Sequence, residues 1–76
     1  MMAHYRLESF RDAGRRVPDA RLSLSASSDA QAMGQAEAVR WRYECAGESR
    51  VLVLSRPSGG GWVEIARMGS RRHADD

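Results

Sequence analysis

Lysine is missing from this chain of 76 residues, whose twelve basic side chains are all arginine. Every cation is therefore a planar fork suited to paired bonds with a carboxylate or a phosphate, and none is a compact ammonium. Cysteine occurs once, at Cys45, which excludes an internal disulfide and fits a reducing, intracellular setting. No base is obviously placed to activate that thiol, so a small helix residue is a plainer reading than a nucleophile. Long apolar runs are missing too. Nothing approaches a membrane span, and the opening MMAHYRLESF lacks the apolar centre of a signal peptide. The expectation is a cytoplasmic protein that makes no membrane contact. The net charge of +2 is too small to argue for nucleic acid, so any electrostatic argument rests on where the charges fall.

Patterns for catalysis and metal binding are equally scarce. His4 and His73 sit at opposite ends of the chain, and neither has a His or Cys neighbour at ligand spacing. The serines fall on strands and turns without a nucleophile elbow. Gly59, Gly60 and Gly61 belong to no GxxxxGK[ST] and precede no helix, so they read as a turn and not a phosphate cradle. Asp75 and Asp76 read as a solvated terminal pair. A chain this short has little room for a cleft with several convergent groups. These points predict a protein that is not an enzyme and that takes no cofactor and no metal.

What the chain does have is one helix-prone stretch, residues 28–47 (SDAQAMGQAEAVRWRYECAG). Ser28 and Gln31 have capping-box spacing, Asp29 suits the positive end of the helix dipole, and Gly47 is a natural stop. Ala32, Ala36, Val39, Tyr43 and Ala46, with Met33 beside them, recur at steps of four and three and predict the core face. Nearly opposite stand Ala30, Gly34, Ala38, Trp41 and Cys45. This second stripe has two readings. In one, the alanines are simply helix formers and Trp41 lies over a neighbouring strand. In the other, Gly34, Ala38, Trp41 and Cys45 form a homodimer contact, since small residues permit close approach and Trp is a common anchor. A single core at this length is only marginally stabilising, which makes association reasonable.

The flanks read as strands. Residues 4–11 alternate, with Tyr5, Leu7 and Ser9 on one side and Arg6, Glu8 and Phe10 on the other. Residues 12–14 mark a turn, and residues 15–19 extend the connection. Residues 21–26 alternate again, Leu22, Leu24 and Ala26 inward and Arg21, Ser23 and Ser25 outward. The VLVL run in residues 49–56 predicts a central strand covered on both faces. Residues 57–61 predict a flexible hairpin loop. Residues 62–68 form a last strand, with Val63 and Ile65 inward and Trp62, Glu64 and Ala66 on the other side. One domain over residues 1–68 and a frayed tail over residues 69–76 follow.

Strand, strand, helix, strand, strand is most economically an α+β two-layer sandwich: an antiparallel four-stranded sheet with the helix on one face. The uncovered face then carries Arg6, Glu8, Phe10, Arg21, Ser23, Ser25, Trp62 and Glu64, plus alternate residues of VLVL, and is too apolar to be idle: either it dimerises, sheet to sheet, or it receives a partner. The topology also gathers Arg11, Arg15, Arg16, Arg50, Arg67, Arg71 and Arg72 at one end of the sheet. Asp12, Asp19, Glu44, Glu48, Asp75 and Asp76 share that end, so a mixed rim is expected, prominent at Arg15 and Arg16. Arg11, Arg15, Arg16, Arg21, Arg50 and Trp62 are the candidate partner-binding residues. At the other end the helix N-terminus near Arg56 offers N–H groups to an anion, although Asp29 competes for them.

In length, element order and texture the layout resembles small phage-encoded anti-CRISPR proteins. The stretches that carry the resemblance are YRLESFRDAGRRVPDARLSLSAS, SDAQAMGQAEAVRW and SRVLVLSRPSGGGWVEIARM, within residues 4–68. The resemblance implies an inhibitor in the host bacterium's cytoplasm that occupies a CRISPR effector complex and blocks target DNA without catalysis. The chain departs from inhibitors that mimic DNA, because it is not acidic. That favours steric blocking, or contact with acidic protein or RNA. Two other readings stand beside it: a nucleic-acid module that stacks bases on Phe10 and Trp62 between Arg6 and Arg21, and a structural dimer or assembly subunit.

Overall fold

In the computed structural model the described residues are 2–11 and 16–70. β1 (Ala3–Phe10), β2 (Ala20–Ala26), α1 (Asp29–Cys45), β3 (Arg50–Ser58) and β4 (Gly61–Ser70) follow one another along the chain. The sheet order is β2-β1-β3-β4 with every neighbouring pair antiparallel, and α1 covers one face. This is the α+β sandwich that the alternation predicts. β2 and β3 run parallel with β1 between them, so α1 is the crossover that carries the chain over the sheet.

Burial explains which strands are central. Leu7 on β1 and Leu52 and Leu54 on β3 are sealed beneath the helix, joined by Tyr5 and Ala26. Val53 points to the other face and is buried as well, between Glu8 and Arg67 of the neighbouring strands, although among the described residues no element lies over that face. The helix contributes Ala32 and Ala36, whose small side chains let it lie close to the leucines, with Val39 and Tyr43 at the margin. Two residues expected on that face are exposed. Ala46 is the C-cap and lies beyond the last helical turn, and Met33 stands one position off the Ala32–Ala36 line. Leu22, expected inward, is also largely exposed, since β2 is an edge strand.

Both helix ends are closed by their own sequence. Gln31 donates its backbone N–H to Ser28 Oγ at 3.1 Å, while its side-chain oxygen accepts from the Ser27 amide at 2.6 Å. The reciprocal bond thus goes one residue earlier than a standard capping box. At the other end Gly47 takes φ +73°, its N–H reaches Glu44 O, and Glu48 N–H reaches Tyr43 O. This pair of bonds is a Schellman motif, and the left-handed position is the reason for glycine.

The second hairpin differs from expectation in three ways. Its turn is only Gly59–Gly60, both at positive φ, so Pro57 and Ser58 belong to β3. Proline is tolerated there because β1 pairs with β3 no further than Ser55, leaving the Pro57 nitrogen no partner to lose on that side. β4 continues through Ser70, two residues into the expected tail, and residues 71–76 lie outside the described residues. Third, the register shifts between Leu54 and Ser55. Ser55 pairs with Glu64 and Leu54 with Ala66, which leaves Ile65 as an inserted bulge residue. The bulge turns Ala66 to the helix side, beside Ile65 and Met68, and corrects its expected outward placement.

Candidate functional site

The face away from α1 is built by cross-strand pairing. Glu8 of β1 stands opposite Arg21 of β2 and Val53 of β3, and Val53 stands opposite Arg67 of β4. The next row joins Ser23, Arg6, Ser55 and Glu64, and Trp62 pairs with Pro57 beyond it. Partners across a ladder share a face, so register alone gathers two guanidiniums, a carboxylate and an indole.

Glu8 organises this set. It is buried, with Arg21 Nε and NH2 at 3.2 and 3.0 Å from its Oε2, and Arg6 NH2 at 3.5 Å from its Oε1. A buried carboxylate is stable only when paired, and here two guanidiniums share it, leaving one net positive charge. Arg6 also lies over Trp62, its guanidinium carbon 4.6 Å from the ring centroid. Trp62 is 45% exposed, and Arg21 reaches further into solvent than Arg6. A hollow of about 310 Å³ lies among Arg6, Arg21, Ser23 and Trp62, and also touches Tyr5 and Leu22. Beside it Glu64 and Arg67 form their own pair at 3.0 Å. That bond raises the pKa of Arg67 above the ordinary guanidinium value.

The rim is a different kind of place. Arg50 is largely enclosed and bonds Glu48 at 2.8 Å, approaches Asp19 at 3.5 Å and lies 5.0 Å over the Tyr43 ring. Its bond to Glu48 outweighs desolvation and raises its pKa. Arg50 thus ties the helix end to the sheet. Arg11 is exposed and approaches Asp19 at 3.8 Å, and Arg16 is exposed. Arg15, Asp12, Arg71, Arg72, Asp75 and Asp76 lie outside the described residues. Of the candidate set, the fold brings Arg21 and Trp62 together and leaves Arg11, Arg16 and Arg50 apart from them. Arg6 and Glu8 complete the cluster. Alternation puts both on this face, but only the pairing register shows that they stand beside Arg21 and Trp62.

On the helix, Ala30, Gly34, Ala38, Trp41 and Cys45 are all exposed, with Trp41 at 61%. Trp41 therefore does not lie down over a strand. At the helix N-terminus, Asp29 accepts from the Tyr5 hydroxyl at 2.7 Å and pairs with Arg56 at 3.2 Å, so its own carboxylate fills the place suggested for an anion. Among the described residues no three His, Cys, Asp or Glu side chains converge as metal ligands, and no helix is long and apolar enough to cross a membrane. No family model, curated protein or solved structure matches the chain.

Proposed function

We propose that this chain is a non-catalytic binding protein that seats a protein or nucleoprotein partner on the open face of its sheet. The observation that carries this reading is the half-exposed Trp62 resting on Arg6 at the side of a hollow that Arg21 also lines. Trp and Arg are the residues that most often dominate interface energies. Glu8 holds Arg6 and Arg21 in place before a partner arrives, which lowers the ordering cost of binding. The remaining positive charge favours an acidic surface.

The likeness in element order to small phage anti-CRISPR proteins makes a CRISPR effector complex the first partner to test, and target-DNA binding the step to block. The protein would then act in the cytoplasm of a bacterial host. In an interference assay with a matched effector, the wild-type chain protects target DNA, whereas W62A and R21E, folded by circular dichroism, do not. Undiminished interference in the presence of the wild-type chain removes the effector as the partner in that system. Binding to single-stranded nucleic acid that falls steeply with salt would assign the face to phosphates instead, against the carboxylates of Glu8 and Glu64 that share it.

A further inference from the structure

We infer that β4 pairs antiparallel with β4 of a second copy of this chain about a two-fold axis between Ile65 and Ala66, joining two sheets into one of eight strands. The outer edge of β4 has no strand beside it among the described residues. In a two-residue hairpin the flanking pair, Ser58 and Gly61, exchanges main-chain hydrogen bonds. Alternation from Gly61 then turns the amide groups of Trp62 and Glu64 outward. Beyond the bulge, Ala66 stands opposite Leu54 and Met68 opposite Leu52, on residues of β3 that bond toward β4. The outward groups there are those of Arg67 and Gly69.

The free edge therefore presents Trp62, Glu64, Arg67 and Gly69. An antiparallel copy meets all four in a single register, with Glu64 opposite Arg67 and Trp62 opposite Gly69, each twice. Without the bulge, residues 64 and 67 would bond toward opposite sides and this match would not exist. Side chains agree with main chain in the same register. Each Glu64, already bonded to Arg67 of its own chain at 3.0 Å, also faces an Arg67 of the other copy on the open face, so the two pairs join into one alternating cluster, and each Trp62 covers the bare Gly69. On the helix face Val63, now 41% exposed, meets Met68. Neither like charges nor two aromatics are opposed. β4 has no proline or lysine to blunt it, whereas at the other edge the Ser25 carbonyl of β2 is already taken by Gln35 Nε2 at 2.8 Å. Association of this kind also suits a chain whose single small core is marginal by itself.

Charge reversal tests the register. Sedimentation equilibrium is expected to give the wild-type chain twice its monomer mass. E64R sets arginine against Arg67, R67E sets glutamate against Glu64, and each is expected to shift the equilibrium to monomer by at least tenfold. The double variant E64R/R67E restores opposite charges in the same register and is expected to restore the dimer. A wild-type chain that stays monomeric at millimolar concentration overturns the inference, as does a dimer that neither single reversal weakens. If a reversal misfolds, V63C/M68C in a C45S background decides. The two positions lie five residues apart in one strand, roughly 16 Å at about 3.3 Å per residue, too far to close within a chain. Across the axis they are a close pair without main-chain bonds, so oxidation is expected to give a covalent dimer, and a product that remains monomeric overturns the pairing.

Discussion

The Tyr5 hydroxyl donates to Asp29 Oδ1 at 2.7 Å, tying the first strand to the first turn of the helix across 24 residues of chain. Arg56 approaches the other oxygen of the same carboxylate from β3. Three elements thus meet at one acidic side chain, which also sits where the helix dipole favours negative charge. The hydrogen bond to Asp29, then burial, raises the pKa of the Tyr5 phenol above its ordinary value of 10.0. Its folded value lies above its unfolded one, so the fold favours the neutral phenol. That contribution is complete below the unfolded value and is lost as pH rises through the folded value. Urea midpoints of the wild-type chain are expected to fall in this alkaline window. Y5F is expected to be less stable at neutral pH and to lose less on going to alkali.

The core separates residues that look alike in composition. Leu54 is fully buried between β1 and β4 beneath the helix, whereas Met33 on the helix is 42% exposed. L54A leaves a cavity and is expected to cost about 2–5 kcal/mol. M33A is expected to stay within about 0.5 kcal/mol of wild type. Thermal melts of the pair check this, at about 4–8 °C per kcal/mol for a domain of this size.

Gly47 offers a cleaner case of backbone strain. Its φ is +73°, and a Cβ built there meets no atom within 4 Å. Any cost of G47A is therefore local, about 1 kcal/mol from the left-handed backbone itself, and does not come from a clash with another part of the fold. The helix should keep its length by circular dichroism while the melting point drops by several degrees. An unchanged melting point would mean that the Schellman closure contributes nothing.

These residues also mark how far the sequence could be read. The helix, its caps and its alanine core face were legible because the signals are local: Ser28 before Gln31, Gly47 at the end, and spacings of three and four. Three strands were legible from period-two alternation, and β3 from its unbroken VLVL run. Strand order and register were not, because they depend on which strands share a core, and alternation says only which residues share a face of one strand. That gap hid Glu8 as the hub of Arg6 and Arg21. It also hid the bulge at Ile65, which reverses the alternation within β4 and turns Ala66 inward. Arg50 misled for a related reason. The sequence puts it on a mixed rim that Asp19 and Glu48 share, and only the fold shows that these two and Tyr43 enclose it.

Glu8 can be tested without changing its shape. E8Q keeps the volume and removes the charge, leaving two guanidiniums facing one another on a face where the carboxylate was buried. The loss of a charged hydrogen-bond acceptor predicts a destabilisation of about 1–3 kcal/mol. Part of that loss is repulsion between Arg6 and Arg21. Arg21 is largely exposed, so salt screens it, and the difference from wild type should narrow between low salt and about 0.5 M. R21Q in the E8Q background removes the repulsion and is expected to recover part of the stability, although R21Q alone is destabilising. Denaturation of the four proteins as a double-mutant cycle gives the coupling directly. A coupling indistinguishable from zero would show that the carboxylate does not hold the arginines, and the claim that the open face is preorganised for a partner would fail with it.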